Sequence, residues 1–196
     1  MSDRLARQMA FLVEADKLKN ILRRTPLSDG SRAENSAEHS WHLALAALAL
    51  HEYAPAGVDV RRVLELVTVH DLVEIDAGDT FAYDAVAAEG KLDRERAAAD
   101  RIFGLLPIDL RDRFRAAWDE FEAQETVDSR FANALDRLQA LLQNMSSGGG
   151  SWTEHQVKRT QVLKRMEPVR TALPDVWPFV IEIIDRFSES GQIAIG

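Results

Sequence analysis

The chain has 196 residues, enough for one domain with a sizeable core. Lys and Arg number 24 against 32 Asp and Glu, and a net charge of −8 argues against wrapping a nucleic-acid backbone. There is no cysteine, which removes disulfides, thiolate catalysis and thiolate-bound zinc, so any metal must use nitrogen and oxygen ligands.

The N-terminal run Met1-Ser2-Asp3-Arg4-Leu5-Ala6-Arg7 lacks a signal-peptide core, and no apolar run is long enough to span a bilayer; a cytoplasmic protein is expected. From about residue 4 to about 22, Leu5, Met9, Leu12, Ala15 and Leu18 form one helical stripe, ended by Pro26 and Asp29-Gly30. Asn35-Ser36-Ala37-Glu38 reads as a capping box that opens an Ala/Leu-rich helix to about Tyr53. Asp59 caps the next helix, which is apolar almost all round and so belongs at the centre of a bundle; Gly78 breaks it. A charged, solvent-facing helix from Arg94 to about Leu106, another from Pro107 through Phe121, and a third from Ser129 to about Met145 follow. Ser146-Ser147-Gly148-Gly149-Gly150-Ser151 reads as a flexible loop, and helices over roughly Thr153–Thr171 and Asp175–Glu189 complete the chain. With no alternating strand pattern of useful length and no repeat, the class is all-α, one domain over 1–196.

The chemistry concentrates at His70-Asp71, set in the apolar run from Val63 to Ile75. Burying an imidazole beside a carboxylate is costly unless something compensates both, and a divalent cation does so. Glu74 lies one turn beyond on the same face, and His39 shares a face with Leu43 in the first turn of its own helix. A cation between the two helices would meet His39, His70 and Asp71, with the Glu74 carboxylate just outside, an arrangement suited to activating water. A lone buried histidine is more often a satisfied core residue than a ligand; Asp71 beside it tips the balance. Asp136 falls nearly opposite the main stripe Phe131, Ala134, Leu135, Leu138, Leu141 and Leu142 of its helix, so spacing alone leaves it solvated and paired with Arg137. Asp76 reads as a solvated turn residue, and Asp79 either caps the next segment or faces the ion. His42, His51 and His155 read as structural or exposed. Lys17, Lys19, Arg23, Arg24 and Arg32 cluster just ahead of His39, where a phosphate would need neutralising.

Taken in order, Arg24-Thr25-Pro26-Leu27, Glu34-Asn35-Ser36-Ala37-Glu38-His39-Ser40, His70-Asp71-Leu72-Val73-Glu74, Ala77-Gly78-Asp79-Thr80 and Leu135-Asp136 resemble the HD superfamily of metal-dependent phosphohydrolases. The subgroup it looks like holds the bacterial 5′-deoxynucleotidases and their eukaryotic HD-domain relatives. The resemblance implies an HD-type helical domain with a metal-site core at about 35–145 and C-terminal helices at about 153–189. It implies one divalent ion (Mn, Co, Mg, Fe, Ni, Cu or Zn) on His39, His70, Asp71 and Asp136, and overrules the spacing argument at Asp136. It further implies Glu74 positioning the attacking water, Asp79 serving the departing oxygen, and Arg24 gripping the phosphate of a nucleotide or other small phosphorylated substrate. Thr25 stands where the deoxynucleotidases carry an aromatic residue associated with deoxyribose, and the segment Glu74 to Asp84 looks more like a sister branch named only as HD hydrolases.

The leading expectation is therefore a 5′-nucleotidase-like phosphomonoesterase. Hydrolysis of another phosphate ester or of nucleoside triphosphates is the runner-up, and a metal-stabilised non-enzymatic binding module the alternative of another class. No membrane or nucleic-acid polymer is expected as partner. A homodimer is, with Trp177, Phe179, Val180 and Ile183 of the last helix as candidates for its interface.

Overall fold

The computed structural model describes residues 2–84, 86–87 and 89–195, and ten α-helices carry most of them. Helix α1 (Asp3–Ala15) starts where the Ser2 side chain accepts a hydrogen bond from the Leu5 amide, and passes into a 3₁₀ turn at Asp16–Asn20. Most of the stripe read from the sequence does not face the core: Leu5, Met9 and Leu12 are exposed, while its last member Leu18 is buried, as is Phe11 from outside the stripe.

The chain then becomes a hairpin. Strand β1 (Leu22–Pro26) runs antiparallel to β2 (Ala33–Asn35), with Leu22 opposite Asn35 and Pro26 opposite Ala33. This corrects the expectation of helix to about residue 22 and of no strand. Pro26 cannot donate to a helix and biases the residue before it toward extended backbone. The strands' length, five and three residues, is too short for alternation to show in a pattern.

The expected capping box opens α2 (Ser36–Ala49): Asn35 Oδ1 accepts from the Glu38 amide at 2.9 Å, and Glu38 Oε2 from the Asn35 amide at 3.2 Å. Its inward face is Ser36, His39, Ser40, Leu43 and Ala47. Asp59 caps α3 (Val60–Val69) as expected. The helix does not run straight through the His-Asp pair, however. Residues His70–Val73 tighten into a 3₁₀ turn before α4 (Glu74–Ala77), and Gly78, at φ +74°, ends the element in a conformation that favours glycine. With about three residues per turn, side chains three apart eclipse, so Asp71 and Glu74 line up on one edge.

Helix α5 (Lys91–Phe103) is less solvent-facing than its charges suggest, because Glu95, Ala98, Ala99, Ile102 and Phe103 are buried. It leads to α6 (Ile108–Ala123) and α7 (Val127–Ser146), capped by Thr126. The glycine run is not a flexible loop: it turns into α8 (Gly150–Glu154), where Ser151 and Trp152 are buried and Ser151 Oγ donates to Asn144 Oδ1 at 2.9 Å. Helix α9 (Arg159–Ala172) begins six residues later than expected, and α10 (Trp177–Glu189) follows. Val180 and Ile183, offered as interface residues, are in the protein's own core, while Phe179 of that group is exposed.

Helix α7 is the axis. It packs on α2, α3, α6 and α9, and every residue from Phe131 through Asp136 is buried. A helix enclosed on all sides has no solvent face, which is why periodicity misjudged Asp136. Among the described residues no helix is long and apolar enough to cross a membrane. Leu66 of α3 is fully buried in this core; Leu66→Ala is expected to cost about 3 kcal/mol of stability, seen as a lower urea midpoint with an unchanged denaturant slope.

Candidate metal centre

His39 of α2 and His70 of the 3₁₀ turn lie with ring centroids 5.5 Å apart, and His70 lines a cavity of about 150 Å³. His39 sits one turn into α2 and is fully buried; its Nδ1 lies 3.0 Å from Gln139 Oε1 on α7. The amide nitrogen of Gln139 is committed to Glu34 Oε1 at 2.8 Å, so its oxygen is the acceptor left for the histidine. Gln143 Nε2 donates to the same Glu34 oxygen at 2.6 Å. His70 Nδ1 lies 2.9 Å from the Val67 carbonyl, which can only accept. Both rings therefore carry their outer proton on Nδ1 and turn Nε2 toward the cavity. Both Nε2 atoms are buried and make no hydrogen bond of good geometry, although Asp136 Oδ1 lies 3.0 Å from that of His39 and Asp71 Oδ1 3.0 Å from that of His70. A buried polar atom left unmatched costs on the order of 1–3 kcal/mol, and a cation taking both lone pairs removes that cost.

The third member comes from α7. One nitrogen each from His39 and His70 and one carboxylate oxygen of Asp136 all lie within 4.8 Å of one another, a set that could hold a metal ion. Asp71 stands against this triplet, Oδ1 at 3.0 Å from His70 Nε2 and Oδ2 at 3.8 Å from His39 Nε2. The buried nitrogens and the nitrogen–oxygen donor set fit a divalent ion. Electrostatics agree. Burial and Arg23 push the His39 pKa down, yet Asp136, Glu34 and Asp71 outweigh them and raise it to about 9. The carboxylates here demand positive charge, and a proton supplies it only partly.

Six acids line the cavity, and four of them, Asp71, Glu74, Asp79 and Asp136, do not share one environment. Burial pushes all four up. For Asp71 the histidines and Arg23, which donates to Oδ2 at 3.0 Å, win and hold it below the ordinary range. For Asp136, Arg137, His39 and Arg165 do the same. Glu74 and Asp79 end raised, because burial and the neighbouring Asp71 exceed the pull of Arg23. Glu74 Oε2 accepts from Ser36 Oγ at 2.6 Å, which fixes its carboxyl at the wall.

His39, His70, Asp71, Glu74, Asp79 and Asp136 are thus brought together, and Arg24 and Thr25 also line the cavity. Arg24 is exposed, however, and it is Arg23 that reaches the acids. In an extended strand residues two apart share a face, so Arg23 and Thr25 point inward together and Arg24 outward. Asp76 pairs with Arg101 near the surface, as expected of a turn residue. Sequence reasoning missed Gln139 and Arg165, gave Glu34 no role, and named Arg137 only as the partner of Asp136, which it is; a glutamine four residues before another on a helix also bearing Asp136 was the available signal.

Residues 15–177 match a family model described as HD domain. The 5′-deoxynucleotidase HDDC2 of Homo sapiens is 31% identical over 112 residues, 57% of this chain and 53% of that protein, so the chain spans about half the length of this relative. The 5′-deoxynucleotidase Ent638_2835 of Enterobacter sp. (strain 638) is 28% identical over 199 residues, 95% of this chain and 99% of that protein. A crystal structure described as a predicted metal-dependent phosphohydrolase from Magnetospirillum magnetotacticum MS-1 superposes with a TM-score of 0.93 at 48% identity, covering 98% of this chain and 100% of that one.

Chelator-stripped protein reloaded with Mn²⁺ or Co²⁺ is expected to retain about one ion per chain, and His70→Ala to retain none, by elemental analysis after desalting. Gln139→Leu, which leaves every ligand in place but frees the His39 ring, should weaken metal affinity about 10–100-fold.

Proposed function

The chain belongs to the HD domain family, and from that premise we propose that it is a metal-dependent phosphohydrolase acting on the 5′-phosphate of nucleoside monophosphates. The observation that carries the reading is the pair of buried Nε2 atoms on His39 and His70, facing the Asp136 carboxylate beside a cavity also lined by Asp71, Glu74 and Asp79. In the proposal His39, His70, Asp71 and Asp136 hold the ion. Such an ion supplies Lewis-acid polarisation of the phosphoryl group and acidifies water.

The protein's own groups do the rest. Glu74, anchored by Ser36, orients a water and takes its proton, burial and the neighbouring Asp71 having raised its affinity for one. The water oxygen bonds to phosphorus as the ester P–O bond breaks, and Asp79 delivers a proton to the departing 5′ oxygen, so that orthophosphate and the nucleoside leave. Arg23, which reaches the acids at the cavity wall, neutralises the phosphate. A closed structural site would need no acids beyond its ligands, which favours an enzyme over a binding module. The 5′-deoxynucleotidase relatives support a nucleotide substrate.

As part of the same proposal the protein works in the cytoplasm as a homodimer. Trp41, Leu45 and Leu48, exposed at i, i+4 and i+7 along α2, are the face such pairing would cover in place of α10.

Phosphate release from a panel of ribo- and deoxyribonucleoside monophosphates, each with Mn²⁺, Co²⁺, Mg²⁺ and Zn²⁺, tests the activity; no turnover with any pairing overturns it. Glu74→Gln keeps the bond to Ser36 but cannot take a proton, and is expected to lower kcat about 10²–10⁴-fold with metal content unchanged.

A further inference from the structure

Beside the metal centre, two arginines share one carboxylate. Arg137 pairs with Asp136 Oδ2, and Arg165 Nη2 lies 3.6 Å from the same oxygen. The other oxygen of Asp136 faces His39 Nε2 at 3.0 Å. A cation bound by His39 and Asp136 would draw on the one carboxylate that, among the described residues, lies within 4.0 Å of both guanidiniums. Arg165 makes no hydrogen bond among the described residues, leaving a planar fork of five donors unused next to the cavity. Two arginines held together with less than one carboxylate between them form a site for an added anion.

The space for that anion is present. A second groove, of about 440 Å³, is lined by Arg137, Lys164, Arg165 and Gln161, with Asp84 as its one acid. Tyr83, Arg137 and Arg165 line this groove and the metal-centre cavity alike, so the two lie side by side. Three cations against one acid is an excess on a chain whose overall charge is −8. Arginine forks match phosphate oxygens bidentately, and a lysine beside them adds a point charge.

We propose that this groove binds a second phosphate group of the substrate, so that the compound hydrolysed carries two phosphates: one at the metal centre and one on Arg137, Arg165 and Lys164. The proposal rests on the phosphohydrolase reading and changes its preferred substrate from a nucleoside monophosphate to a compound with a second phosphate. The second phosphate lies either at a separate position, as in a nucleoside 3′,5′-bisphosphate, or in a diphosphate chain. In both cases the reaction is the same displacement by water, and the product keeps the phosphate held by the arginines.

The test compares kcat/KM for adenosine 5′-monophosphate, adenosine 3′,5′-bisphosphate and adenosine 5′-diphosphate on metal-loaded wild type, Arg165→Gln and Lys164→Ala. Wild type is expected to favour one doubly phosphorylated compound by about tenfold or more, the worth of a charge-assisted hydrogen bond. Which compound it is tells the two sources apart. In the variants that preference should collapse toward one. A wild-type preference for the monophosphate, or equal losses on all three compounds, overturns the second site. Calorimetric titration of the same proteins with inorganic pyrophosphate and orthophosphate gives a reading independent of turnover. Tighter pyrophosphate binding that Arg165→Gln removes upholds the groove even if no nucleotide is consumed, in which case the phosphohydrolase reading alone fails; pyrophosphate binding indifferent to Arg165 overturns the groove.

Discussion

Two buried imidazole nitrogens without a hydrogen bond of good geometry set the terms for the rest of this structure. The protein spends several elements on keeping them so. The Val67 carbonyl and the Gln139 amide hold the opposite nitrogens, Glu34 and Gln143 in turn hold Gln139, and the capping box at Asn35 fixes the start of the helix that carries His39. Outer partners of this kind choose the tautomer and aim the lone pair, and without them a ring would rotate to bond elsewhere. The hairpin, α2, the turn after α3 and α7 meet at one point because each contributes a group to this arrangement.

The acids around that point divide into two kinds by what each touches. Asp71 and Asp136 lie against guanidinium and imidazole groups that keep them ionised despite burial. Glu74 and Asp79 are buried beside another acid and hold protons more readily. One cavity thus offers carboxylates fit to coordinate and carboxyls fit to move protons, set by neighbours a few ångströms apart.

Much of this was legible in the chain. A capping box is a local pattern and speaks for itself, and so is a cap aspartate ahead of an apolar run; α2 and α3 start where Asn35 and Asp59 said they would. The His-Asp pair declared itself by being polar where everything around it was not. What stayed hidden was tertiary. Asp136 is inward because α7 has neighbours on every side, which no single-helix pattern reports. The inward reach of Arg23 in place of Arg24 follows from a strand too short to show alternation. Leu5, Met9 and Leu12 of α1 looked like a core stripe and are exposed, whereas Val180 and Ile183 of α10 looked free and are not. Amphipathicity shows that a helix has two sides, not which elements will cover them.

The glycine run has an influence out of proportion to its length. At Gly150, with φ +37°, a Cβ atom would come within 3.0 Å of Pro26 Cγ and within 2.8 Å of Asn144 Oδ1. The start of α8 is therefore pressed against the end of β1, three residues from Arg23. Chain far downstream thus acts as a backstop for the strand that aims a guanidinium at the acids. Lengthening or bulking up that stretch would loosen the arginine without altering a single residue that touches it, so surgery on the protein's second half has to respect a joint in its first.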